Sequence, residues 1–208
     1  LFIMSKKKRH AQRAQMVQAQ NLQDANSQVS EEKTLKATTS YFANERVLAE
    51  LDDNSRNLYD QSRFGEPYEN KIQYSLVEAL FLLEKGKITV LDNKNKPISS
   101  EKFTKLANEI EPKFWIRYSV YKDMRSRGYI VKTALKFGAD FRVYDRGIKP
   151  GEDHAKWILY PVHEAESFSW YDFSAKNRVA HSTKKNLLVA VVDDEGDCTF
   201  YQISWIRP

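Results

Sequence analysis

The succession of short apolar runs in the C-terminal half, YIVKT, DFRVY, WILYPV, NLLVAVVD and CTFYQISWI, constrains the fold of this chain more than any other feature. Runs of this length, broken by charged, Gly or Pro residues, read as strands of one sheet. In DFRVY apolar and polar side chains alternate, which puts Phe141 and Val143 on one face and Asp140, Arg142 and Tyr144 on the other. Before the first run, KFWIRYSVYKDMRSRG spaces Trp115, Tyr118, Val120, Tyr121 and Met124 as a helix does, and Gly128 stops it. Its Arg117, Lys122, Arg125 and Arg127 form a basic face that reads as solvated. Between the third and fourth runs, SWYDFSAKNRVAHSTKK reads as a helix that delivers its last turn to the next strand. The expectation is a mixed sheet flanked by helices, an α+β or α/β layer fold.

The preceding residues read as a smaller α+β domain. In YSLVEALFLLEKG, Ser75 with Glu78 forms a capping-box signature, Leu76, Ala79, Leu80 and Leu83 share a helical face, and Gly86 ends the helix. KITVLD follows as a strand and SSEKFTKLANEIE as a helix. Residues 37–63 are ambiguous between strand and helix. Pro112 marks a boundary, giving an N-terminal domain over 37–114 and a larger one over 115–208. The leading segment 1–36, with Lys6, Lys7, Lys8, Arg9 and Arg13 followed by a Gln-rich stretch, cannot bury much apolar surface and reads as a flexible or partly helical arm.

Composition removes several classes. With 208 residues, 41% hydrophobic, the chain has enough apolar content for a real core and is not wholesale disordered. A net charge of +5 is compatible with a polyanionic partner without demonstrating one. The single cysteine, Cys198, excludes an intrachain disulfide and a multi-cysteine zinc site and fits a reducing cytoplasm. The opening LFIM is too short for a signal-peptide core and precedes the basic cluster, so it reads as a processing remnant or the cut end of a longer chain.

Three residue types stand out for chemistry. Tyr144 ends a strand, His154 follows Gly147, Pro150 and Gly151 in a polar loop, and Lys184 and Lys185 close the later helix. A lone strand-end tyrosine is ordinarily a packing residue and a lone loop histidine ordinarily solvated, so neither makes a site alone.

In order and spacing, KFGADFRVY, GEDHAKW and RVAHSTKKNLLVAVVDDEGD resemble the archaeal tRNA splicing endonuclease, the tRNA-intron lyase family. The resemblance extends back through YSVYKDMRSRGYIVKT and YSLVEALFLLEKGKI and covers most of 37–208. The arm at 1–36 is where the chain departs from that pattern. The resemblance implies a catalytic triad of Tyr144 as general base, His154 as general acid and Lys185 as the charge-stabilising cation. The family's pattern counted from His181 selects Lys185 over Lys184 and leaves His181 structural. His10 and His163 have no supporting neighbours in the sequence. It further implies that Arg178 stacks on a bulged base, with Trp205 and Arg207 assisting. The turn Asp193, Asp194, Glu195, Gly196, Asp197 would insert into a basic pocket of a neighbouring subunit, making the chain a homo-oligomer or the partner of a related subunit. The implied substrate is precursor tRNA with a bulge-helix-bulge fold, and no metal or cofactor is implied.

The implied chemistry uses the RNA's own 2′-hydroxyl as nucleophile, so the protein needs a proton acceptor, a proton donor and a cation. Histidine, with an ordinary pKa near 6.5, suits the donor role, whereas a free tyrosine is only about 0.1% ionised at neutral pH. Two other readings remain. Asp140 with Glu152 or Asp153 and Lys156 loosely imitates a metal-dependent, restriction-like nuclease, and a non-catalytic structural or RNA-binding subunit is the reading outside enzymes.

Overall fold

A computed structural model describes residues 37–134 and 138–206. The expectations for segment 1–36 and for Arg207 lie outside the described residues.

The ambiguous stretch resolves into β1 (Thr38–Ala43), β2 (Arg46–Glu50) and α1 (Asp53–Ser62). Asn44, with a φ of 54°, supplies the left-handed turn between the strands. A reciprocal cap then starts α1: the Asp52 carboxylate accepts the Ser55 N–H at 2.7 Å and the Ser55 hydroxyl accepts that of Asp52 at 3.0 Å. With β3 (Glu66–Tyr68), β4 (Lys71–Ser75) and β5 (Ile88–Leu91), these strands build a sheet of order β3-β4-β2-β1-β5, in which β1 and β5 run parallel.

Helix α2 (Leu76–Glu84) carries the expected capping box at Ser75 and Glu78. Its burial exceeds the expectation of one apolar face, because every residue from Leu76 to Leu82 is buried while Leu83 is only partly so. The first sheet lies on one side of it, and α3 (Ser100–Ile110) and α4 (Phe114–Ser126) lie on the others. A helix enclosed on all sides reads as apolar all round.

The second sheet contains β6 (Ile130–Thr133), β7 (Phe141–Tyr144), β8 (Trp157–His163), β9 (Asn186–Val192) and β10 (Cys198–Ile203). Its order is β10-β9-β8-β7-β6, antiparallel except for β8 and β9, which α5 (Trp170–Ser182) connects as a parallel pair. Residues of alternate parity feed two cores. Phe141, Val143, Trp157, Leu159, Leu188 and Ala190 join α4 and the first half of the chain in one apolar cluster, whereas Ile158, Tyr160, Leu187 and Val189 pack with Ala180 and Phe173 of α5.

The basic face of α4 is solvated at Lys122 and Arg127, which are exposed, and drawn inward at Arg117 and Arg125, which are partly buried. Arg117 pairs with Glu111 and Asp140, Lys122 with Glu84, and Arg127 with Asp123. The Arg125 guanidinium lies 3.7 Å from the centre of the Phe64 ring and donates to the Ser62 carbonyl at 2.9 Å.

A buried charged knot joins the two halves. Lys132 on β6 donates to the carbonyls of Arg63 (3.1 Å) and Gly65 (2.7 Å), and its ammonium also meets Glu78 (3.3 Å) and Glu66 (3.2 Å). Glu78 in turn accepts the backbone N–H groups of Gly65 and Ser75 and the Ser75 hydroxyl. Position 65 must be glycine, since its φ is +71° and a Cβ would sit 2.5 Å from Ile72 Cγ2. None of the described helices is long and apolar enough to cross a membrane.

Candidate active site

Strand register brings Tyr144 and Lys185 to one end of the second sheet, the end at which the loop bearing His154 connects β7 to β8. Val143 pairs with Trp157, and Trp157 with Asn186. The Lys156 N–H donates to the Val143 carbonyl and the Asn186 N–H to that of Lys156, both at ladder distances. One residue further along, Tyr144, Lys156 and Lys185 therefore form a row across the ends of β7, β8 and β9. Neighbouring strands lie roughly 4.8 Å apart, so Tyr144 and Lys185 are separated by about 10 Å at the backbone, within the combined reach of their side chains. By parity both project to the α5 face, Tyr144 alternating with Val143 and Lys185 with Leu188.

The choice between the two lysines is made by the end of α5. The Lys185 N–H donates to the Ala180 carbonyl and the Lys184 N–H to that of His181, the paired bonds of a Schellman ending. Lys184 occupies the left-handed position usually given to glycine, with φ 55°. That turn leaves Lys184 exposed and Lys185 partly buried, with its ammonium donating to the Thr183 carbonyl at 2.8 Å. Burial first, and the nearby positive charge of Arg142 second, lower the Lys185 pKa below the usual lysine range.

Tyr144 is buried more deeply than its strand-end position suggested, yet its hydroxyl is not among the sealed ones. The hydroxyls of Tyr74 and Tyr121 are buried without a partner, and that of Tyr144 does not share this fate. His154 is exposed in the loop 145–156. The loop is tied across its base by Lys156 Nζ to Asp145 Oδ2 at 2.6 Å, which also holds the Asp145 carboxyl below its usual range. The His154 backbone N–H donates to Asp153 Oδ1 at 2.6 Å, and among the described residues the imidazole has no hydrogen-bonding partner. The loop anchors thus hold His154 near the end of β8, with its ring open to a ligand.

Beside Lys185 lies an open cavity of about 250 Å³ lined by Asn177, His181, Lys184, Ile203 and Trp205. The His181 and Trp205 rings are 4.7 Å apart, so His181, read from sequence as structural, shares this cavity with the lysine. Only the return of β10 to the same sheet end reveals this. Arg178 is exposed on α5 outside that lining.

The acidic turn is at the other end of the sheet. Asp193 Oδ1 accepts the N–H groups of Glu195 and Asp197, and Gly196 takes a φ of +90°. The seven residues of β9 separate this turn from Lys185, roughly 23 Å at about 3.3 Å per residue, so it cannot serve the site of its own chain. His163 does have a neighbour here, Asp194 at 3.0 Å, which the sequence separation of 31 residues concealed. The carboxylates of the restriction-like reading also fail to converge. Asp140 precedes β7 and is paired with Arg117, whereas Glu152 and Asp153 lie in the loop beyond its far end.

Two family models cover this architecture. The one described as tRNA intron endonuclease, N-terminal domain, matches residues 38–104, and the one described as tRNA intron endonuclease, catalytic C-terminal domain, matches residues 114–200. The chain belongs to the tRNA intron endonuclease family. Similar proteins named tRNA-splicing endonuclease include that of Thermococcus onnurineus, 43% identical over 166 residues, which is 80% of this chain and 95% of the relative. That of Methanothermobacter thermautotrophicus is 42% identical over 154 residues, 74% of this chain and 89% of the relative. That of Nanoarchaeum equitans is 47% identical over 139 residues, 64% and 88% respectively. The row Tyr144, Lys156, Lys185 and the loop bearing His154 all fall within the span of the catalytic-domain model of this endonuclease family.

Proposed function

We propose that the chain is a tRNA splicing endonuclease that cuts precursor tRNA at the intron boundaries of a bulge-helix-bulge fold. The observation that carries the reading is the register that gathers Tyr144, Lys185 and the His154 loop at one sheet end. Tyr144 takes the proton of the 2′-hydroxyl, which attacks the adjacent phosphorus. His154 protonates the departing 5′-oxygen, and Lys185 balances the charge that develops on the phosphate. The products are a 2′,3′-cyclic phosphate and a 5′-hydroxyl, and the scheme uses no metal ion. The separation of Asp140 from Glu152 and Asp153 supports this reading over the restriction-like one. The cavity with His181 and Trp205, with Arg178 on the adjoining helix, offers stacking surfaces for a splayed base.

Assembly follows from the acidic turn. A cavity of about 320 Å³ lined by Phe64, Arg125, Tyr129 and Lys149 carries cations and no carboxylate, and suits the turn of a second copy or of a related subunit. The larger cavity of about 380 Å³ holds Arg46, Arg117 and Lys132 but also Glu45, Glu66, Glu78 and Glu111, so its charges are already matched. Two sites at fixed separation would then measure the two bulges, in the cytoplasm where precursor tRNA is processed.

The test is cleavage of a bulge-helix-bulge RNA in excess EDTA with analysis of the new ends. Cyclic phosphate and 5′-hydroxyl ends, lost in His154→Ala with RNA binding kept, are the expected result. Cleavage that chelation abolishes, or that His154→Ala leaves unchanged, overturns the scheme.

A further inference from the structure

Arg142 is unlike the other partly buried arginines. Arg63 reaches Asp60, Arg117 pairs with Glu111 and Asp140, and Arg125 donates to the carbonyls of Ser62 and Tyr129. Among the described residues no carboxylate or carbonyl takes the Arg142 guanidinium, and its Nε, like that of Arg63, is buried without a hydrogen-bond acceptor. A buried donor left unsatisfied is costly, and its retention calls for an explanation.

Its place in the sheet supplies one. Arg142 pairs with Ile158, and Ile158 with Leu187, so its stem crosses apolar side chains on the α5 face. Two residues along the same strand and on the same face is Tyr144, whose ring centre lies 6.0 Å from the Arg142 Cζ. Two residues before Leu187, again on that face, is Lys185. The guanidinium therefore sits among the groups proposed to cut RNA, and its charge is felt at the Lys185 ammonium. The register thus puts two cations on one face of the sheet, β8 between them, with no carboxylate bonded to either among the described residues, and an incoming phosphodiester would complete such a site. A guanidinium fork can hold one phosphate oxygen pair while the ammonium meets the charge developing beside it.

We infer that Arg142 is a further substrate-contacting residue of this site, forming with Lys185 a paired cationic seat for the scissile phosphodiester. The inference rests on the reading of Tyr144, His154 and Lys185 given above and adds a second cation to it.

The test is single-turnover cleavage of a bulge-helix-bulge RNA by the full chain carrying Arg142→Gln, Arg142→Met or Arg142→Lys. Binding is measured in parallel with the same RNA made 2′-deoxy at the scissile nucleotide, and thermal melting monitors the fold. The Gln and Met variants should cut about 100-fold more slowly or worse while binding weakens less than about fivefold, and Lys should recover about tenfold. The alkaline limb of the rate profile should also move to higher pH in the Gln and Met variants, because Lys185 loses a like-charged neighbour. Other titratable groups at this sheet end, Tyr144 on β7, Lys156 before β8 and His181 on α5, stay in place in all variants. Cleavage by both neutral variants within about threefold of the parent overturns the inference, as does a Lys variant no faster than Met with the alkaline limb unmoved. Should Gln fail to fold, Met, which keeps the apolar stem, carries the same comparison. Lys185→Ala and His154→Ala controls separate the two readings. If they cut normally the site itself is wrong, and if they are inactive while Arg142→Met cuts normally only the role of Arg142 fails.

Discussion

Replacing Lys132 by Met is the sharpest probe of what joins the two halves. The ammonium is nearly excluded from water, with a side-chain exposure of 5%, and it meets two carbonyls and two carboxylates. Removal leaves Glu78 buried with an uncompensated charge, although the N–H groups of Ser75 and Gly65 still reach it. Breaking one side of a buried pair costs about 3–5 kcal/mol, a large share of the roughly 5–15 kcal/mol that holds a domain together. The assay is equilibrium unfolding in guanidinium at fixed protein concentration. The double variant Lys132→Met with Glu78→Gln should recover about 1–3 kcal/mol relative to the sum of the singles. The pH dependence gives a second handle. Burial alone would raise the Glu78 pKa, but Lys132 and the Ser75 and Gly65 donors outweigh it and hold the carboxyl below the ordinary 4.5. A folded-state pKa below the unfolded value means that this contribution is present above about pH 4.5 and lost as pH falls through the lower folded value. In Lys132→Met the loss should begin at higher pH. A penalty under about 1 kcal/mol, or an unchanged acid limb, would refute the account of the knot as a structural clamp.

Lys184→Gly should stabilise the chain by about 0.5–1 kcal/mol in the same unfolding assay, because glycine adopts the left-handed position without strain, and cleavage should persist. Asp194→Lys with Glu195→Lys, which spares the Asp193 bonds that shape the turn, should lower the molar mass seen by light scattering and reduce cleavage together. Burial, with Asp123 and Asp197 nearby, pushes the Cys198 thiol up to about 11, so alkylation by iodoacetamide at pH 8 should be far slower than for a free cysteine and should accelerate on unfolding.

What the sequence revealed and what it hid divide along physical lines. The capping box at Ser75 and Glu78, the alternation in DFRVY and the strand runs of the second sheet are local patterns, and the structure keeps them. Residues 37–63 were ambiguous because β1 is specified by partners far away, β2 on one side and β5 on the other, rather than by its own periodicity. The basic face of α4 is solvated at Lys122 and Arg127 as the sequence suggests, whereas Arg117 is drawn inward by Glu111 and Asp140, acids from other segments that no local pattern reveals. Likewise the convergence of Tyr144 and Lys185 follows only from the pairing of three strands. The spacing between them in the chain says nothing about it.

The parallel pairing of β8 with β9 has a consequence for the chain as it is made. Lys185 cannot join the row with Tyr144 until α5 has emerged from the ribosome and turned back, so a nascent product that ends between residues 155 and 184 carries the phenol and imidazole but not the ammonium. The row of Tyr144, Lys156 and Lys185 is thus completed late in synthesis, only when β9 closes on β8.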